Sequence, residues 1–448
     1  MKDQGDINFS EERHKYHEQL NEETQYWINK DADYFFHQAL STPVMNVLSK
    51  TEGAYIYDLN GKKYLDLHGN GVHNIGFNNP EVVAAVMKQL QDSLAFTPRR
   101  YTNKPAVNFA EKLVEVTPKG LDRVLFCPGG SEAIETAVML AKQITGKWKT
   151  ISYWESYHGN GFQAASVGGQ EHFKVGNGPM VPGAMHIEFP NYYRNPWGFT
   201  NIEQIDEAYL RQLNIIIRNE PDIAALIAEP ISATPVVPSE YYWQQVRQIC
   251  DENDILLIFD EIIEGFGRTG KLFACEHYVT PDILVLGKTM GGGLLPFAGI
   301  VTKDRYNYLS DRSVGHFTHE KNPLCSAAGL AMLNYMESHQ IVAHVAKTGA
   351  YLMEKLNELK DEFNMVGNVA GKGFHLGVEL IKNDDKERAF DSAERIMYDC
   401  IEMGLAFKLI EGNVITLRPS LIIGQEECDF IADTLRKAIQ NELALIGE

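Results

Sequence analysis

Basic residues are scarce in this sequence: Lys and Arg number 41 against 60 Asp and Glu, which gives a net charge of −19. An acidic surface repels phosphate backbones and anionic lipid, so we expect neither a nucleic acid nor a membrane as a partner. Any anionic ligand must then be bound by a local basic pocket that the net charge conceals.

Cysteine pairs and long apolar runs are missing. None of the six cysteines forms a CxxC pair, which argues against a zinc ribbon and a disulfide framework. The 14 histidines show no HExxH spacing, so we expect no metal site. No apolar run approaches the roughly 20 residues of a membrane helix, and residues 1–19 lack the apolar core of a signal peptide. We therefore expect a cytoplasmic protein.

The length of the chain predicts more than one domain. Its 448 residues, 44% of them hydrophobic, exceed the roughly 100–200 residues of one compact core. We predict an N-terminal segment (1–80) that contributes to a small domain, a large domain (81–325) and a C-terminal small domain (326–448). Residues 11–40 predict a polar amphipathic helix. Residues 54–66 predict a hairpin, because apolar residues alternate on both sides of an Asn-Gly turn.

From about residue 105, helical stretches alternate with short apolar runs. Six of these runs predict strands: Arg123–Phe126, Thr150–Trp154, Ala225–Ala228, Ile255–Phe259, Ile283–Leu286 and Gly299–Thr302. Strands that alternate with helices indicate an α/β fold with a largely parallel sheet. Near-continuous apolar strands indicate that both faces are covered. After residue 325 the pattern is mainly helical, with a strand pair near 373–380 and 413–418.

Polar residues follow five of these strands. They are Gly129-Gly130-Ser131, Tyr157-His158-Gly159, Glu229-Pro230, Asp260-Glu261 and Lys288. Ligands of open parallel sheets lie outside the carboxyl ends of the strands. We therefore expect these residues to line one site.

The residue types at these strand ends match the needs of pyridoxal 5'-phosphate (PLP), which requires an amine, a carboxylate and a phosphate site. Lys288, near an apolar strand end, can form a Schiff base with the aldehyde. Asp260 can keep the ring nitrogen protonated. Gly130 and Ser131 begin a helix, whose N-terminus binds phosphate. Tyr157 can stack on the ring.

Each of these residues also has an ordinary structural explanation. Lys288 could be a solvated loop lysine, and Asp260 could be a helix N-cap or half of a buried salt bridge. Any capped helix after a Gly-rich turn resembles the segment at Ser131, and a lone tyrosine such as Tyr157 more often belongs to a core. The GxxxxGK[ST] spacing of a P-loop is absent. The combination, rather than any single residue, indicates PLP.

The longer motifs around these residues are typical of one family. They are Phe126-Cys-Pro-Gly-Gly-Ser-Glu-Ala133, Tyr157-His-Gly159, Ala228-Glu-Pro230, Asp260-Glu261 continuing to Gly267-Arg-Thr-Gly270, Gly287-Lys288, and Thr318 before Asn322-Pro323. From about residue 45 to the C-terminus the chain resembles the class III (subgroup II) aminotransferases, which have PLP fold type I. The resemblance implies a large domain with a mostly parallel seven-stranded sheet between helices, and a small α+β domain built from both termini.

The resemblance also implies roles for the residues at the strand ends. Lys288 is the Schiff-base lysine and the proton shuttle, and Asp260 is the partner of the ring nitrogen. Gly130 and Ser131 hold the phosphate of PLP. Tyr157 stacks on one face of the ring.

Three more residues complete the cofactor site that the resemblance implies. Ile262 packs on the second face of the ring, and Glu229 belongs to the same site. Thr318 reaches the phosphate of the neighbouring subunit's cofactor. The smallest active unit is therefore expected to be a homodimer.

Three departures from the family pattern concern the reaction. Ile263 replaces a glutamine that in the family helps to hold the phenolic oxygen of the cofactor. Residues 231–235 replace a Gln-Gly-x-Gly-Gly run. Thr416 replaces an arginine that in the family clamps an α-carboxylate, and Arg418 follows two positions later. These departures argue against ordinary transamination with an α-keto acid.

Three further segments, Leu67–His73, Thr97–Asn103 and Gly315–Lys321, are not generic to the class. They resemble the (R)-1-hydroxy-2-aminoethylphosphonate ammonia-lyases, a subgroup of phosphonate-breakdown enzymes. The resemblance implies a PLP-dependent lyase that converts this small amino substrate to phosphonoacetaldehyde and ammonia. The alternatives are an ω-aminotransferase, an amino-acid racemase and a non-catalytic homologue, although the intact Lys288 and Asp260 argue against the last.

A phosphonate substrate requires cationic side chains. Arg99, Arg100, Lys408 and Arg418 are the candidates, since arginine matches such oxyanions through two parallel hydrogen bonds. The alternative for each is a surface ion pair, which contributes about 0–1 kcal/mol.

Overall fold

A computed structural model describes residues 8–38 and 41–447 of the chain. Residues 1–7 of the predicted N-terminal segment, residues 39 and 40 of the predicted helix and residue 448 lie outside the described residues. The chain divides into a smaller unit, Met1–Asn78 with His344–Glu448, and a larger unit, Asn79–Ala343. The smaller unit is therefore built from both ends of the chain.

The described residues form α-helices and β-strands in the following order along the chain. The helices are α1 (Glu11–Gln19), α2 (Glu22–Tyr34), α3 (Pro80–Gln91), α4 (Lys104–Val116), α5 (Gly130–Thr145), α6 (Phe162–Val167), α7 (Ile202–Asn219), α8 (Glu240–Glu252), α9 (Pro323–Ser338), α10 (Ile341–Glu362), α11 (Phe390–Glu402) and α12 (Gln425–Ile446). The strands are β1 (Leu48–Glu52), β2 (Tyr55–Asp58), β3 (Lys63–Asp66), β4 (Arg123–Cys127), β5 (Lys149–Tyr153), β6 (Ala184–Ile187), β7 (Ile223–Ala228), β8 (Leu256–Asp260), β9 (Ile283–Leu286), β10 (Ala298–Thr302), β11 (Val366–Lys372), β12 (His375–Leu380), β13 (Leu405–Ala406), β14 (Lys408–Ile410) and β15 (Val414–Leu417). In the part of the chain that the structure describes, no helix combines the length and the apolar character needed to cross a membrane.

The larger unit is built on one seven-stranded sheet with the strand order β4-β10-β9-β8-β7-β5-β6. β10 is antiparallel to both of its neighbours, and the other adjacent pairs are parallel. The other six strands therefore run in one direction, and their carboxyl ends share one edge of the sheet. β7 and β8 are buried along their whole length, as strands covered on both faces must be. The prediction of a mostly parallel seven-stranded sheet is confirmed.

The sequence predicts six of these seven strands, and β6 is the exception. It lies at the edge of the sheet, and three of its four residues are only partly buried. An edge strand needs apolar cover less than a central strand does. Its segment, Ala-Met-His-Ile, therefore lacks the β-branched apolar run that marks the central strands.

Helix α5 packs on the middle of this sheet. Its fully buried residues Ile134, Ala137, Val138 and Ala141 belong to one apolar cluster with side chains of the central strands. Burial of a single isoleucine or valine side chain contributes about 1.5–3 kcal/mol. The helix stops at Gly146, whose φ of 69° suits glycine. This packing fixes the start of α5 directly after β4, at the carboxyl edge of the sheet.

Helix α9 belongs to the larger unit, although the sequence predicts a domain boundary after residue 325. It packs against α3 and α4, and the division between the units falls after Ala343. Asn322 caps the helix, because its Oδ1 accepts from the N–H groups of Leu324 (2.9 Å) and Cys325 (3.0 Å).

The smaller unit holds two four-stranded sheets, β1-β2-β3-β13 and β11-β12-β15-β14. β2 and β3 form the predicted hairpin, in which Tyr55 pairs with Leu65. Gly61 in its turn has a φ of 78°, which a residue without a side chain adopts freely. β12 and β15 are antiparallel neighbours, which confirms the predicted strand pair.

The helix predicted over residues 11–40 is present as two helices, α1 and α2. α1 and α2 each start at an N-cap side chain of their own: Ser10 Oγ accepts from Arg13 N at 3.0 Å, and Asn21 Oδ1 accepts from Thr24 N at 2.8 Å. Leu20 between them is extended, with ψ of 147°. The polar composition that predicts one long helix therefore conceals a second cap in its middle.

Candidate active site

The carboxyl edge of the seven-stranded sheet gathers the polar residues that follow its strands. Asp260 is the last residue of β8 and pairs with Val285 on β9, the strand that leads to Lys288. On the other side of β8, β7 leads to Glu229. The loop after β5 carries Tyr157, and the loop after β4 leads into α5. The structure thus brings these segments to one edge of the sheet.

Lys288 has a backbone conformation that is rare for a residue with a side chain. Its φ is 48°, and it begins a short 3-10 turn directly after β9. A residue other than glycine in this left-handed region costs on the order of 1–3 kcal/mol. Such strain persists where the surroundings fix it, and it is common at functional sites. Because β9 is fully buried, it holds the half-buried lysine at a fixed point of the sheet edge.

A buried imidazole–carboxylate pair lies at the end of β8. His158 Nδ1 lies 2.8 Å from Asp260 Oδ2, and the two side chains are 0% and 4% exposed. Because a carboxylate oxygen only accepts, Nδ1 carries the hydrogen. Asp260 Oδ1 accepts from the N–H of Ile262 at 3.1 Å. A buried carboxylate is costly without such partners, and these two hydrogen bonds also fix its orientation.

The sequence predicts no role for His158, although the residue stands in the Tyr157-His158-Gly159 segment that is expected to line the site. A carboxylate at the end of an apolar strand needs a buried donor. A histidine at the end of a strand in the same sheet is a suitable donor, and that need is the signal that could have identified it.

The neighbouring carboxylate, Glu261, has a different environment. It accepts hydrogen bonds from the N–H groups of Ala274 (2.5 Å) and Cys275 (2.6 Å). Burial raises the pKa of Glu261 to about 7. Glu261 therefore holds the turn at residues 274–277, whereas Asp260 pairs with the imidazole.

The N-terminus of α5 has no side-chain cap. Gly129 is its N-cap residue and has no side chain to offer to the free N–H groups of the first turn. Ser131 Oγ instead accepts from the N–H of Asn160 at 3.0 Å. The free N–H groups and the helix dipole make this helix end suitable for an anion.

Glycines allow close packing around this helix end. A Cβ on Gly130 would lie 2.9 Å from Ile262 Cδ1, and a Cβ on Gly287 would lie 3.3 Å from Ile262 Cγ1. Gly159 has a φ of 124°, and a Cβ there would lie 2.5 Å from Ser131 Oγ. The segments after β4, β5, β8 and β9 therefore touch one another, and the segment after β9 continues into the lysine.

Glu135, one turn after Ser131 on α5, also binds the loop that carries Tyr157. Its Oε1 accepts from the N–H groups of Gln163 (2.8 Å) and Ala164 (2.9 Å). These groups begin α6, which has no side-chain cap of its own. Glu135 therefore acts as the cap of α6 and ties the loop to α5.

Replacement of Glu135 by Met is expected to destabilise the protein by about 1–2 kcal/mol, because two N–H groups lose their acceptor. Glu135→Gln keeps an oxygen that accepts and is expected to recover most of this loss. Thermal unfolding of the three proteins, followed by circular dichroism, measures the difference. Equal midpoints for Glu135→Met and wild type would contradict the capping role, and equal loss in both variants would assign the effect to charge.

Tyr157 and Glu229 occupy two other positions at the sheet edge. Tyr157 is 37% exposed, and its ring centroid lies 4.4 Å from that of Phe173. Burial, and after it the charge of Asp260, raises the pKa of Tyr157. The tyrosine therefore lies within electrostatic reach of that carboxylate. Glu229 is 4% exposed, and its Oε2 accepts from the N–H of Ala233 at 2.8 Å.

Arg99 and Thr318 belong to two loops of the larger unit that are joined by hydrogen bonds. Arg99 Nε donates to Glu320 Oε1 at 3.2 Å, and its Nη2 donates to the carbonyl of Gly315 at 3.1 Å. Arg99 therefore binds the loop that carries Thr318, which is an exposed turn residue. Arg100, its neighbour, is also exposed.

Lys408 and Arg418, the other two candidates for binding a phosphonate, lie in the smaller unit. Lys408 begins β14, and Arg418 directly follows β15, the adjacent strand. Arg418 is 5% exposed, and its Nε donates to His375 Nδ1 at 3.2 Å. The four candidates are thus divided between the two units.

Known proteins resemble this chain over most of its length. Residues 37–439 match the family model described as aminotransferase class-III. The chain is 41% identical over 456 residues to the (R)-1-hydroxy-2-aminoethylphosphonate ammonia-lyase of Vibrio splendidus (strain 12B01), and the match covers 98% of this chain and 95% of that protein. It is 35% identical over 408 residues to the leucine/methionine racemase of Thermococcus litoralis, with 88% and 90% covered. A solved amine transaminase from an uncultivated Pseudomonas species, in its PLP-bound form, matches with a TM-score of 0.84 and 31% identity over 88% of this chain and 94% of that chain.

The matched range contains all the site residues described above, from Arg99 to Arg418. The solved relative shares the fold at a TM-score of 0.84. Sequence and fold therefore agree, and the chain belongs to the class III aminotransferase family, of PLP fold type I.

Proposed function

We propose that the carboxyl edge of the seven-stranded sheet binds PLP. The uncapped N-terminus of α5, packed closely at Gly130, suits a phosphate. Asp260, held by His158, suits a protonated ring nitrogen. Lys288 supplies the amine that an aldehyde requires. The residues present therefore fit the cofactor.

The other residues of this edge would then surround the ring. Gly130 and Ser131 hold the phosphate through backbone N–H groups at the start of α5. Tyr157 and Ile262 pack on the two faces of the ring, and Ile262 is already in close packing with Gly130. Glu229, at the end of β7, belongs to the same site.

When bound, PLP supplies a ring that accepts the electron pair left when a C–H bond next to the amino group breaks. Lys288 would hold the cofactor through its amine. Once free, its Nζ would be the base that takes the proton from the carbon that bears nitrogen. Asp260 keeps the ring nitrogen protonated, which is worth on the order of a few kcal/mol. His158 keeps Asp260 in position.

The proposed reaction is the conversion of (R)-1-hydroxy-2-aminoethylphosphonate to phosphonoacetaldehyde and ammonia. One observation carries this choice: the 41% identity, over 98% of the chain, to an enzyme with this activity in its name. A proton leaves the amino-bearing carbon, and the hydroxyl leaves the neighbouring carbon as water. Water then adds at the amino-bearing carbon as ammonia departs from it. The atoms therefore balance without an amino acceptor. Ile263 and Thr416, which replace two family residues, agree with a reaction that needs no α-keto acid.

The proposed active unit is a homodimer. In it, Thr318 of each protomer reaches the phosphate of the cofactor in the other. The hydrogen bonds of Arg99 to Glu320 and Gly315 support this role, because they hold the loop of Thr318 in a defined position.

Incubation with (R)-1-hydroxy-2-aminoethylphosphonate, with and without pyruvate, tests the reaction. We expect aldehyde and ammonia in equal amounts in both cases. 2-Aminoethylphosphonate is the matched control, since it lacks the hydroxyl that must leave and should release no ammonia. Dependence on pyruvate, or conversion of the control compound only with pyruvate, would assign the enzyme to the ω-aminotransferases instead. A protein that gains no cofactor absorbance in the presence of PLP would contradict the cofactor site itself.

A further inference from the structure

The smaller unit carries a group of basic side chains at the ends of three strands. Lys408 begins β14, Arg418 follows β15, and His68 follows β3. The N–H of Leu67 donates to the carbonyl of Ala406 at 2.8 Å, and the carbonyl of Leu67 accepts from the N–H of Arg418 at 2.8 Å. These backbone hydrogen bonds place the segment of His68 between the segments that carry the two cations.

The two cations lie on one face of their sheet. Lys408 pairs with Thr416, and Thr416 pairs with Gly377. Directly paired residues of neighbouring strands share a face. Arg418 Nε contacts His375, which precedes Gly377 by two residues and so lies on the same face. Lys408 and Arg418 therefore point to the same side of the sheet.

His68 lies beside these cations as a neutral imidazole. Burial, and after it the charges of Lys408 and Arg418, lowers the pKa of His68 to about 3. Its Nδ1 is fully buried and has no hydrogen-bond partner among residues 8–38 and 41–447. One polar atom of this ring therefore has no hydrogen bond to the described residues.

The loop after His68 has a strained conformation. Gly69, Asn70 and Gly71 have φ values of 45°, 46° and 71°. A Cβ on Gly69 would lie 2.1 Å from His73 Nδ1, so only glycine fits there. Asn70, which is not a glycine, keeps a conformation that costs on the order of 1–3 kcal/mol and is most common at functional sites. The loop therefore holds the imidazole in a defined place.

We infer that Lys408, Arg418 and His68 form an anion-binding site in the smaller unit and that its ligand is a phosphonate group. Two cations on one face match the two charges of a phosphonate, and a guanidinium matches the geometry of its oxygens. Glu379 lies on the same face, two residues beyond Gly377, and offsets only one of the two charges. The inference rests on the proposed function in its choice of a phosphonate as the ligand.

Binding of 2-hydroxyethylphosphonate tests the site, because this compound has the phosphonate but no amine that could react. It is titrated calorimetrically into the full-length enzyme after incubation with PLP, in buffer free of phosphate. PLP then occupies the N-terminus of α5, so that 2-hydroxyethylphosphonate cannot bind at that helix end. Lys408→Met keeps the length of the side chain, removes its charge and is expected to weaken binding about tenfold or more. Lys382→Met removes the same charge from an exposed ion pair with Glu387 in the same unit and is expected to bind as wild type does.

Two results would overturn the site: no binding of 2-hydroxyethylphosphonate by wild type, or equal binding by Lys408→Met. His68→Asn provides a second variant that leaves both cations in place, and a smaller loss of affinity is expected for it. The site and the lyase reaction can fail separately. Binding that depends on Lys408, without release of ammonia from the amino substrate, keeps the site and rejects the reaction. Release of ammonia, together with equal binding by Lys408→Met and wild type, keeps the reaction and rejects the site.

Discussion

Lys288→Ala is expected to lower the rate of ammonia release at least about 10⁴-fold. The substitution removes the amine that is proposed to attach the cofactor. It also removes the proposed base, and a positioned base alone contributes about 10²–10⁴-fold. Lys303 directly follows β10, but it lies at the opposite edge of the sheet because β10 is antiparallel to its neighbours, so it cannot take over the role. Initial rates of ammonia and aldehyde formation measure the loss.

Two further lysine variants separate the chemistry of the amine from its charge. Lys288→Arg keeps the positive charge, but a guanidinium does not lose its proton in a protein, so this variant is expected to be as inactive as Lys288→Ala. Lys271→Ala removes an exposed lysine of the same unit and is expected to leave the rate unchanged. Borohydride reduction followed by peptide mass analysis should find the cofactor on Lys288 of the wild type alone. Turnover above about a tenth of wild type in Lys288→Ala would contradict the role.

The strand ends of the larger unit can be predicted from the sequence because their signal is local. β8 and β9 are short apolar runs, and both are buried in the structure. The change from apolar residues to a polar residue at the end of such a run can be seen in the sequence itself. Asp260 and Lys288 can therefore be proposed as site residues without knowledge of their neighbours, and the parallel sheet follows from the alternation of strands and helices.

Contacts between distant segments cannot be predicted in the same way. The hydrogen bond of His158 to Asp260 joins residues that are 102 positions apart, and that of Arg99 to Glu320 joins residues 221 positions apart. Residue spacing reveals neither the bond of Arg99 to Glu320 nor the contact of Arg418 with His375. The break between α1 and α2 is a local feature, but the sequence does not predict it. Asn21 is one polar residue among many, and its role as an N-cap is known only from its hydrogen bond to the N–H of Thr24.

Asp260→Asn is expected to lower kcat about 10²–10³-fold while the fold is retained. The change keeps the shape of the side chain and removes its negative charge. The charge is worth on the order of a few kcal/mol to a protonated ring nitrogen, and each 1.4 kcal/mol corresponds to about a factor of ten in rate. An amide oxygen can still accept from His158 Nδ1, so the loss should appear in kcat and in the absorbance of the cofactor rather than in the unfolding midpoint.

Glu261→Gln is the matched control for this prediction. Glu261 is the next residue and an equally buried carboxylate, but its hydrogen bonds go to the N–H groups of Ala274 and Cys275. Glutamine keeps an oxygen that accepts from one of them, so kcat should stay within about twofold of wild type. His158→Gln should lie between the two variants, because the histidine acts only through the position of Asp260. If Glu261→Gln were as slow as Asp260→Asn, the loss would reflect general damage to the end of β8, and the charge at residue 260 would have no special part in the chemistry.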